Sequence, residues 1–252
     1  GVGWPFQWNS LTRGGQPNIR FSTEPVNDAG IEVTNNVDDT PPAAPSTPDL
    51  TAASDSGSTD TDNLTNNPSP TFTGTAEANS SLELFAGTTS LGSTTTNDDG
   101  NWSFTVPTSA ALSDGSTAIT ATATDTAGNA SPSSAALTIT VDTSAPAFTS
   151  GGSAAAIDEN SGTNQVIYTA TSTDTSSVTY SLKSNNNDDA SAFSINSSTG
   201  DITLTANPDH ETKTSYSFTV IATDDAGNTS EQSVALAIND LDDTPPAAPS
   251  TP

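Results

Sequence analysis

The stretch SYSFTVIAT, at residues 215–223, is apolar at every second position. Strict alternation of apolar and polar residues is the pattern of a β-strand with one buried face. The runs STAITATAT, at 116–124, and SLELF, at 81–85, have the same period. Turn-forming residues such as NDDG at 97–100 and TAGN at 126–129 separate the runs at about the spacing typical of a β-sandwich. The sequence therefore predicts an all-β fold, and helix signals are lacking.

The stretch DDTPPAAPSTP at residues 38–48 recurs unchanged at 242–252. An exact recurrence of this length indicates a tandem repeat. Each copy joins a pair of carboxylates to a proline-rich run, which favours a stiff domain junction that can hold a cation. We predict boundaries at these junctions. The predicted segments are the C-terminal strands of a preceding, different domain or an assembly segment (1–37), a first sandwich (38–143), a second sandwich (144–241) and the start of the next repeat (242–252).

The charge of the chain is strongly acidic, with 30 acidic and 4 basic residues and a formal net charge of −26. Such a surface repels phosphate groups, so nucleic acid and anionic membranes are excluded as partners. Clustered carboxylates are instead suited to Ca²⁺. Cysteine is absent, which excludes disulfides and thiol nucleophiles. No signal peptide or long apolar run is visible, so we expect any export signal to lie outside these residues.

The first predicted sandwich contains the phrases PSTPDLTAASDSG, PTFTGTAE, GNWSFTVP and ITATATDTAGN. Through these phrases, residues 45–142 resemble the bacterial Ig-like repeats of giant surface adhesins. Trp102 stands in an alternating run between a turn and a proline, and we predict that it is the core aromatic residue of this sandwich. The run VDTSAP at 141–146 forms the second joint, with Asp142 as its one carboxylate.

The second predicted sandwich contains FSINSSTGDITL at 193–204, followed by PDHE at 208–211 and YSFTVIATD at 216–224. This succession resembles a cadherin domain over residues 146–246. The two resemblances together imply tandem Ig-like and cadherin-like Greek-key β-sandwiches joined end to end.

The cadherin resemblance implies Ca²⁺ as the cofactor, held between consecutive modules. Glu159, in DEN, stands at the position of the family's first glutamate ligand. PDHE matches the family's Asp-Arg-Glu motif with His210 in place of the arginine, and DLDDTPP matches the family's terminal acidic motif with Asp242 in place of an asparagine. The ligands implied at this C-terminal pole are Glu159, Asp209, Glu211, Asp240, Asp242 and Asp243.

The opposite pole of the second sandwich matches the family less well. The family's Asp-x-Asp motif reads ATSTD here, so that Asp174 remains and Ser172 replaces the first acid. Asp224 fits the remaining apical aspartate, and Asp142 could reach in from the joint. We expect fewer ions or weaker binding here than at the C-terminal pole.

The first sandwich carries a comparable motif in ATATDTAGN, which places Asp125 near one end of the sandwich. We predict that Asp125 lies close to the junction acids and to an acidic loop, with a cation among the carboxylates. The alternative for any single loop acid is a solvated turn former. The predicted cluster contains Asp38, Asp39, Asp49, Asp55 and Asp125, and the loop also holds Asp60 and Asp62.

Catalysis is not predicted. The single histidine, His210, lies inside the predicted calcium motif and has no nucleophile placed beside it. Neighbouring acids alone do not make a catalytic pair.

The function predicted from these features is a calcium-stiffened extender of a bacterial surface adhesin, used in cell attachment and biofilm formation. Neighbouring repeats of the same chain are the predicted partners, with surface glycans or another cell bound through regions elsewhere. The predicted location is the bacterial cell surface. One alternative is a carbohydrate- or peptide-binding module that uses Trp4 and Trp8, and another is a self-assembling matrix fibre that forms by strand exchange.

Overall fold

The computed structural model describes residues 38–184 and 188–242, together with two short strands near the N-terminus. These strands, β1 (Leu11–Arg13) and β2 (Gln16–Asn18), form an antiparallel hairpin. The chain divides into two compact units, residues 1–38 and 39–252. Apart from the hairpin, the predictions made for residues 1–37, including those for Trp4 and Trp8, lie outside the described residues.

The first sandwich of the second unit is built from two sheets. One sheet has the order β4-β10-β9-β6-β7 and the other has the order β3-β5-β8. Residues 81–96 form two strands, because a turn at 87–88 reverses the chain. The strands are β3 (Asp49–Leu50), β4 (Leu64–Thr65), β5 (Thr71–Thr75), β6 (Ser81–Ala86), β7 (Thr89–Thr95), β8 (Asn101–Thr105), β9 (Gly115–Thr124) and β10 (Leu137–Val141), with a 3₁₀ turn at Thr108–Ala110.

The core between these two sheets is formed by the inward residues of the alternating strands. Phe72, Leu82 and Ile119 are completely buried. The indole of Trp102 is 4% exposed and lies in the same core, which confirms its predicted role. Trp102 pairs with Gly74 on the neighbouring strand, where the missing side chain makes room for the indole.

The second sandwich contains sheets ordered β12-β19-β18-β15 and β13-β17-β16, and a short pair β11-β14. A 3₁₀ turn at Ala190–Ala192 precedes β16. The strands are β11 (Ala147–Phe148), β12 (Ile157–Asp158), β13 (Val166–Thr169), β14 (Ser172–Thr173), β15 (Val178–Leu182), β16 (Phe193–Ile195), β17 (Asp201–Leu204), β18 (Ser215–Asp224) and β19 (Thr229–Asn239). The all-β prediction is confirmed.

The core of the second sandwich follows the alternation in β18. Phe218, Val220 and Ala222 are buried, whereas the residues between them are partly exposed. The ring of Phe218 packs against Phe193, with centroids 4.4 Å apart, and against Tyr168 at 6.2 Å. Edge-to-face and tilted ring pairs of this kind stabilise a core beyond the area that they bury.

Both sandwiches place an early strand parallel to their last strand. In the first sandwich β4 runs parallel to β10, with Leu64 opposite Thr140. In the second sandwich β12 runs parallel to β19, with Ile157 opposite Ile238. Each module therefore holds an early strand beside its last strand in one sheet.

The proline-rich junction at 38–48 packs onto the first sandwich. Pro42, Pro45 and Pro48 are buried, whereas most of the residues between them are exposed. Burial at every third residue matches the period of a polyproline II helix. Ser46 also exchanges hydrogen bonds with the backbone of Thr75, at 2.9 Å in both directions. This junction is therefore attached to the module that it precedes.

An ion pair between Lys213 and Asp189 fastens the loop before β16, with 2.6 Å between Nζ and Oδ1. Burial raises the pKa of Asp189, but hydrogen bonds from Lys213 and the Ser217 N–H outweigh burial and hold the pKa below its ordinary value. A carboxyl with a lowered folded-state pKa stabilises the fold above its unfolded pKa of about 3.9, and this contribution is lost as the pH falls through the folded value.

Asp189→Asn is therefore expected to lower the free energy of unfolding at pH 7, and its difference from the wild type should shrink below about pH 4. Denaturant unfolding at several pH values checks this. The matched control is Glu231→Gln, which removes the more exposed Lys183–Glu231 pair and should cost less than about 1 kcal/mol. A difference between Asp189→Asn and wild type that did not depend on pH would contradict the prediction.

Candidate calcium-binding joints

Three aspartates from different segments meet where the first sandwich joins the second. Asp142 follows β10, Asp174 follows β14, and Asp224 ends β18. One carboxylate oxygen of each lies within 4.8 Å of the others. We call these three residues the inner joint. The structure thus brings together the three acids that the sequence predicted for this pole.

The side chains of the inner joint are held by their local turns. Asp224 is 6% exposed, and its Oδ1 accepts the Asn228 N–H at 2.8 Å. Asp174 Oδ1 accepts the N–H and the hydroxyl of Ser176, at 2.9 and 3.0 Å. The turns that follow β14 and β18 therefore hold two of the carboxylates in place.

Direct hydrogen bonds also link the two sandwiches at this joint. Asn228 Nδ2 donates to the backbone oxygen of Asp142 at 2.8 Å. The hydroxyl of Ser56, in the loop between β3 and β4, donates to the backbone oxygen of Ala226 at 2.7 Å. These hydrogen bonds connect the two modules directly, and the three carboxylates of the inner joint lie beside them.

Asp114 is a joint residue that the sequence reasoning missed. Its Oδ1 accepts the N–H and the hydroxyl of Thr143, at 3.1 and 2.8 Å, and its Oδ2 accepts the hydroxyl of Ser144 at 3.2 Å. The hydrogen bond from the Thr143 hydroxyl is the largest cause that lowers the pKa of Asp114. Asp114 stands in the turn sequence SDG. A turn sequence alone does not indicate that the turn contacts the linker between the modules.

A second acid group lies at the opposite end of the second sandwich, and we call it the distal pole. Carboxylate oxygens of Glu159, Asp209 and Glu211 lie within 4.8 Å of one another, and ligand atoms of His210, Glu211 and Asp240 form an overlapping group. His210 Nδ1 lies 3.8 Å from Asp240 Oδ2. Four of the residues that the resemblance implied at this pole are therefore neighbours.

Glu159 is the buried centre of the distal pole, with 1% of its surface exposed. Its Oε1 accepts the Leu241 N–H at 2.6 Å and its Oε2 accepts the His210 N–H at 2.8 Å. These two backbone donors lower the pKa of Glu159, because they stabilise the ionised form. The hydrogen bonds from the Thr212 hydroxyl and N–H likewise lower the pKa of Asp209.

The chemistry of both groups fits a hard divalent cation. The atoms that could bind a metal are almost entirely carboxylate oxygens, which are the ligands that Ca²⁺ prefers. The two lysines of the described residues pair with Glu231 and Asp189, outside both groups. The negative charge of the inner joint and of the distal pole is therefore not neutralised by lysine.

The prediction that the acidic loop lies close to Asp125 is wrong. Asp125 follows β9 at the end of the first sandwich where Thr124 pairs with Ser81. The loop between β3 and β4, which holds Asp55, lies at the other end, where Ser56 contacts Ala226 of the second sandwich. The reason is strand direction, because residues 46–51 run antiparallel to β5, from its Thr75 end to its Thr71 end, before the loop begins.

The remaining predicted ligands do not form a cluster of three acids among the described residues. Asp125 caps its own turn, since its carboxylate accepts the N–H of Ala127 and both the N–H and the side-chain amide of Asn129, each at 2.8 Å. Asp243 lies outside the described residues. Four of the remaining predicted ligands are exposed at the surface, namely Asp38, Asp39, Asp49 and Asp242.

Gly227 marks the closest approach of the two modules at the inner joint. It has a φ of +88°, and a side-chain carbon there would lie 2.9 Å from the Ser56 backbone oxygen. Gly128 occupies the same motif in the first sandwich with a φ of +93°, and a side-chain carbon there would meet nothing within 4 Å. The two glycines therefore share one backbone conformation but differ in their surroundings.

Gly227→Ala is expected to destabilise the protein by about 1 kcal/mol or more beyond the effect of Gly128→Ala. Both substitutions carry the cost of a left-handed alanine, and only Gly227→Ala pushes the modules apart. Thermal melting of the two variants measures the difference. Equal losses would show that the contact between Ser56 and Gly227 does not contribute.

The fold defines a tandem of two β-sandwich modules. Residues 40–143 match the bacterial Ig-like domain family, and residues 153–239 match the cadherin domain family. The chain carries a bacterial Ig-like domain followed by a cadherin domain. Such domains are typically extracellular, non-enzymatic modules for adhesion or extension, and cadherin domains are known to bind calcium.

Cadherin ectodomains are among the solved structures that the chain matches. Drosophila N-cadherin EC1-4 is 19% identical, with 71% of this chain and 47% of that chain covered and a TM-score of 0.37. Human protocadherin-24 EC1-2 is 20% identical, with 39% and 46% covered and a TM-score of 0.34. The chain thus spans less than half the length of either structure. A search of curated proteins gave no match. Within the described residues, no helix has the length and apolar character needed to cross a membrane.

Proposed function

We propose that this section of chain is a calcium-stiffened extender of a bacterial cell-surface adhesin. It would hold a ligand-binding region away from the cell for attachment and biofilm formation. The observation that supports this most directly is the inner joint, where one carboxylate from the linker and two from turns of the cadherin domain converge within 4.8 Å.

A cation at the inner joint would connect the linker to the cadherin domain, because it would bind carboxylates from both. Two like charges about 4 Å apart repel by roughly 1 kcal/mol even in water, so three carboxylates in this arrangement favour a bound cation. The linker carboxylate also lies beside the Asn228 contact to the Asp142 backbone. Binding would therefore restrict the movement of one module against the other.

The calcium affinity of such sites would make calcium binding depend on export from the cell. Extracellular calcium modules bind with dissociation constants of about 10⁻⁴ to 10⁻³ M, which leaves them empty in a cytoplasm and filled outside the cell. The chain would then be flexible during export and would stiffen in the medium.

The repetition of DDTPPAAPSTP extends this proposal along the array. Asp38 and Asp39 stand in the first copy where Asp242 and Asp243 stand in the second. In the proposed array, the distal pole would therefore face the next repeat. The alternatives that use residues 1–37, as a sugar- or peptide-binding surface or as a strand for exchange, remain predictions from the sequence.

Small-angle scattering and thermal melting of this chain, with calcium and then with excess chelator, test the proposal. With free calcium at about 100 times the dissociation constant, one site adds about 2.7 kcal/mol to the free energy of unfolding. We expect a narrower distance distribution and a higher melting temperature with calcium, and magnesium at equal concentration should be less effective. Identical scattering and melting in chelator would exclude calcium stiffening and would leave the acids as a solvated surface.

A further inference from the structure

A buried carboxylate in the Ig-like domain is only partly satisfied. Asp55, in the loop between β3 and β4, is 6% exposed. Its Oδ2 accepts the Asn63 N–H at 3.1 Å, whereas its buried Oδ1 has no hydrogen-bond partner among the described residues. An unsatisfied carboxylate oxygen in such a position is costly unless a proton or a cation completes it.

A second carboxylate, that of Asp62, faces Asp55 across the same loop within hydrogen-bonding reach. Asp62 is fixed by the loop backbone, since its Oδ1 accepts the Leu64 N–H and its Oδ2 accepts the Thr59 N–H, both at 3.1 Å. Gly57 leaves the room for this arrangement, because a side-chain carbon at Gly57 would overlap the Asp62 carboxylate. The loop therefore wraps around two acid groups.

The pKa values of the two carboxyl groups are shifted in opposite directions. Burial, and then the neighbouring Asp62, raise the pKa of Asp55. Burial also acts to raise the pKa of Asp62, but hydrogen bonds from the Thr59 and Leu64 N–H groups outweigh it and lower that pKa. The lysines of the described residues pair elsewhere, so no lysine neutralises the two acids.

We propose that the loop at residues 55–62 binds a divalent cation of the Ca²⁺ type between the carboxylates of Asp55 and Asp62. The unsatisfied Oδ1 of Asp55 is the ligand that carries this proposal. Asp62 is exposed, so the site is open to the solvent on that side. This site lies within the Ig-like domain and is separate from the inner joint and the distal pole.

The position of the loop gives the site a role at the inner joint. Ser56, next to Asp55, accepts the Asn66 N–H at 2.8 Å and donates to the Ala226 backbone oxygen at 2.7 Å. A cation between Asp55 and Asp62 would fix the loop that presents Ser56 to the cadherin domain. The contact between Ser56 and Ala226 would then be stabilised from the side of the Ig-like domain.

The test compares the number of calcium ions bound by the full chain in wild type, Asp55→Asn/Asp62→Asn and Asp60→Asn. Equilibrium dialysis with ⁴⁵Ca²⁺ gives the ion count, and NMR follows the amide signals of Asn63 and Leu64 during a calcium titration. Asp60 is the matched control, because it is an exposed aspartate of the same loop. We expect the double variant to bind one ion fewer and to lose the calcium-dependent shifts of both amides, whereas Asp60→Asn should behave as wild type.

Two results would overturn the proposal. One is an equal ion count in wild type and in the double variant. The other is a wild-type chain whose Asn63 and Leu64 amides do not respond to calcium, which decides the matter even if the double variant fails to fold. A further variant, Asp174→Asn, separates this site from the proposed stiffening, because it should leave the amide shifts of the loop unchanged.

Discussion

Asp174→Asn is expected to remove most of the calcium-dependent stabilisation that we propose for the inner joint, about 1 to 3 kcal/mol at saturating calcium. The substitution keeps the size of the side chain and an oxygen that can accept the Ser176 N–H. It removes one of the three negative charges that converge at the joint. Calcium affinity depends on the number of charged ligands, so the ion should bind much more weakly.

Asp225→Asn is the matched control for this prediction. Asp225 accepts the N–H and the hydroxyl of Ser177, as Asp174 does those of Ser176, but Asp225 is not a member of the inner joint. Melting curves with and without calcium should show the wild-type calcium effect in Asp225→Asn and a much smaller effect in Asp174→Asn. Equal calcium effects in the two variants would show that Asp174 is not a ligand.

Phe218→Ala is expected to lower the free energy of unfolding of the cadherin domain by about 3 to 5 kcal/mol. The ring is 1% exposed and lies between Phe193 and Tyr168, so its removal leaves a cavity that rigid strands on both sides cannot close. A loss of this size is a large part of the total stability of a domain, which is about 5 to 15 kcal/mol.

Phe72→Ala is the corresponding change in the Ig-like domain, where Phe72 is completely buried. Because the two hydrophobic cores are separate clusters, each substitution should destabilise its own domain most. Hydrogen exchange measured at β18 and at β9 distinguishes the two domains. If Phe218→Ala weakened both strands equally, the domains would unfold as one cooperative unit.

The fold was predictable because the decisive pattern is local. The alternation in 215–223 places Phe218 and Val220 on one face of a strand, and the structure buries both. Trp102 was likewise recognised from an alternating run between a turn and a proline.

The acid groups were predictable only in part. Asp174 and Asp224 of the inner joint were named from the resemblance, since each stands in a motif that the family uses, and Asp142 was named as the one carboxylate of the joint between the modules. The place of the loop that holds Asp55 was not predictable from spacing, because it depends on the direction of β3 within the sheet. The contacts of Asp114 with Thr143 and of Ser56 with Ala226 join residues far apart in the chain, which a local pattern does not reveal.

The parallel strand pairs at the edges of both domains have a consequence for a chain that is pulled at its two ends. Such a pull would draw an early strand and the last strand of each domain in opposite directions along their shared ladder. In the cadherin domain, this force acts on the bonds between β12 and β19. Because these bonds lie across the line of force, they must yield together in shear rather than open one after another. The same arrangement of β4 and β10 would load the Ig-like domain in shear as well.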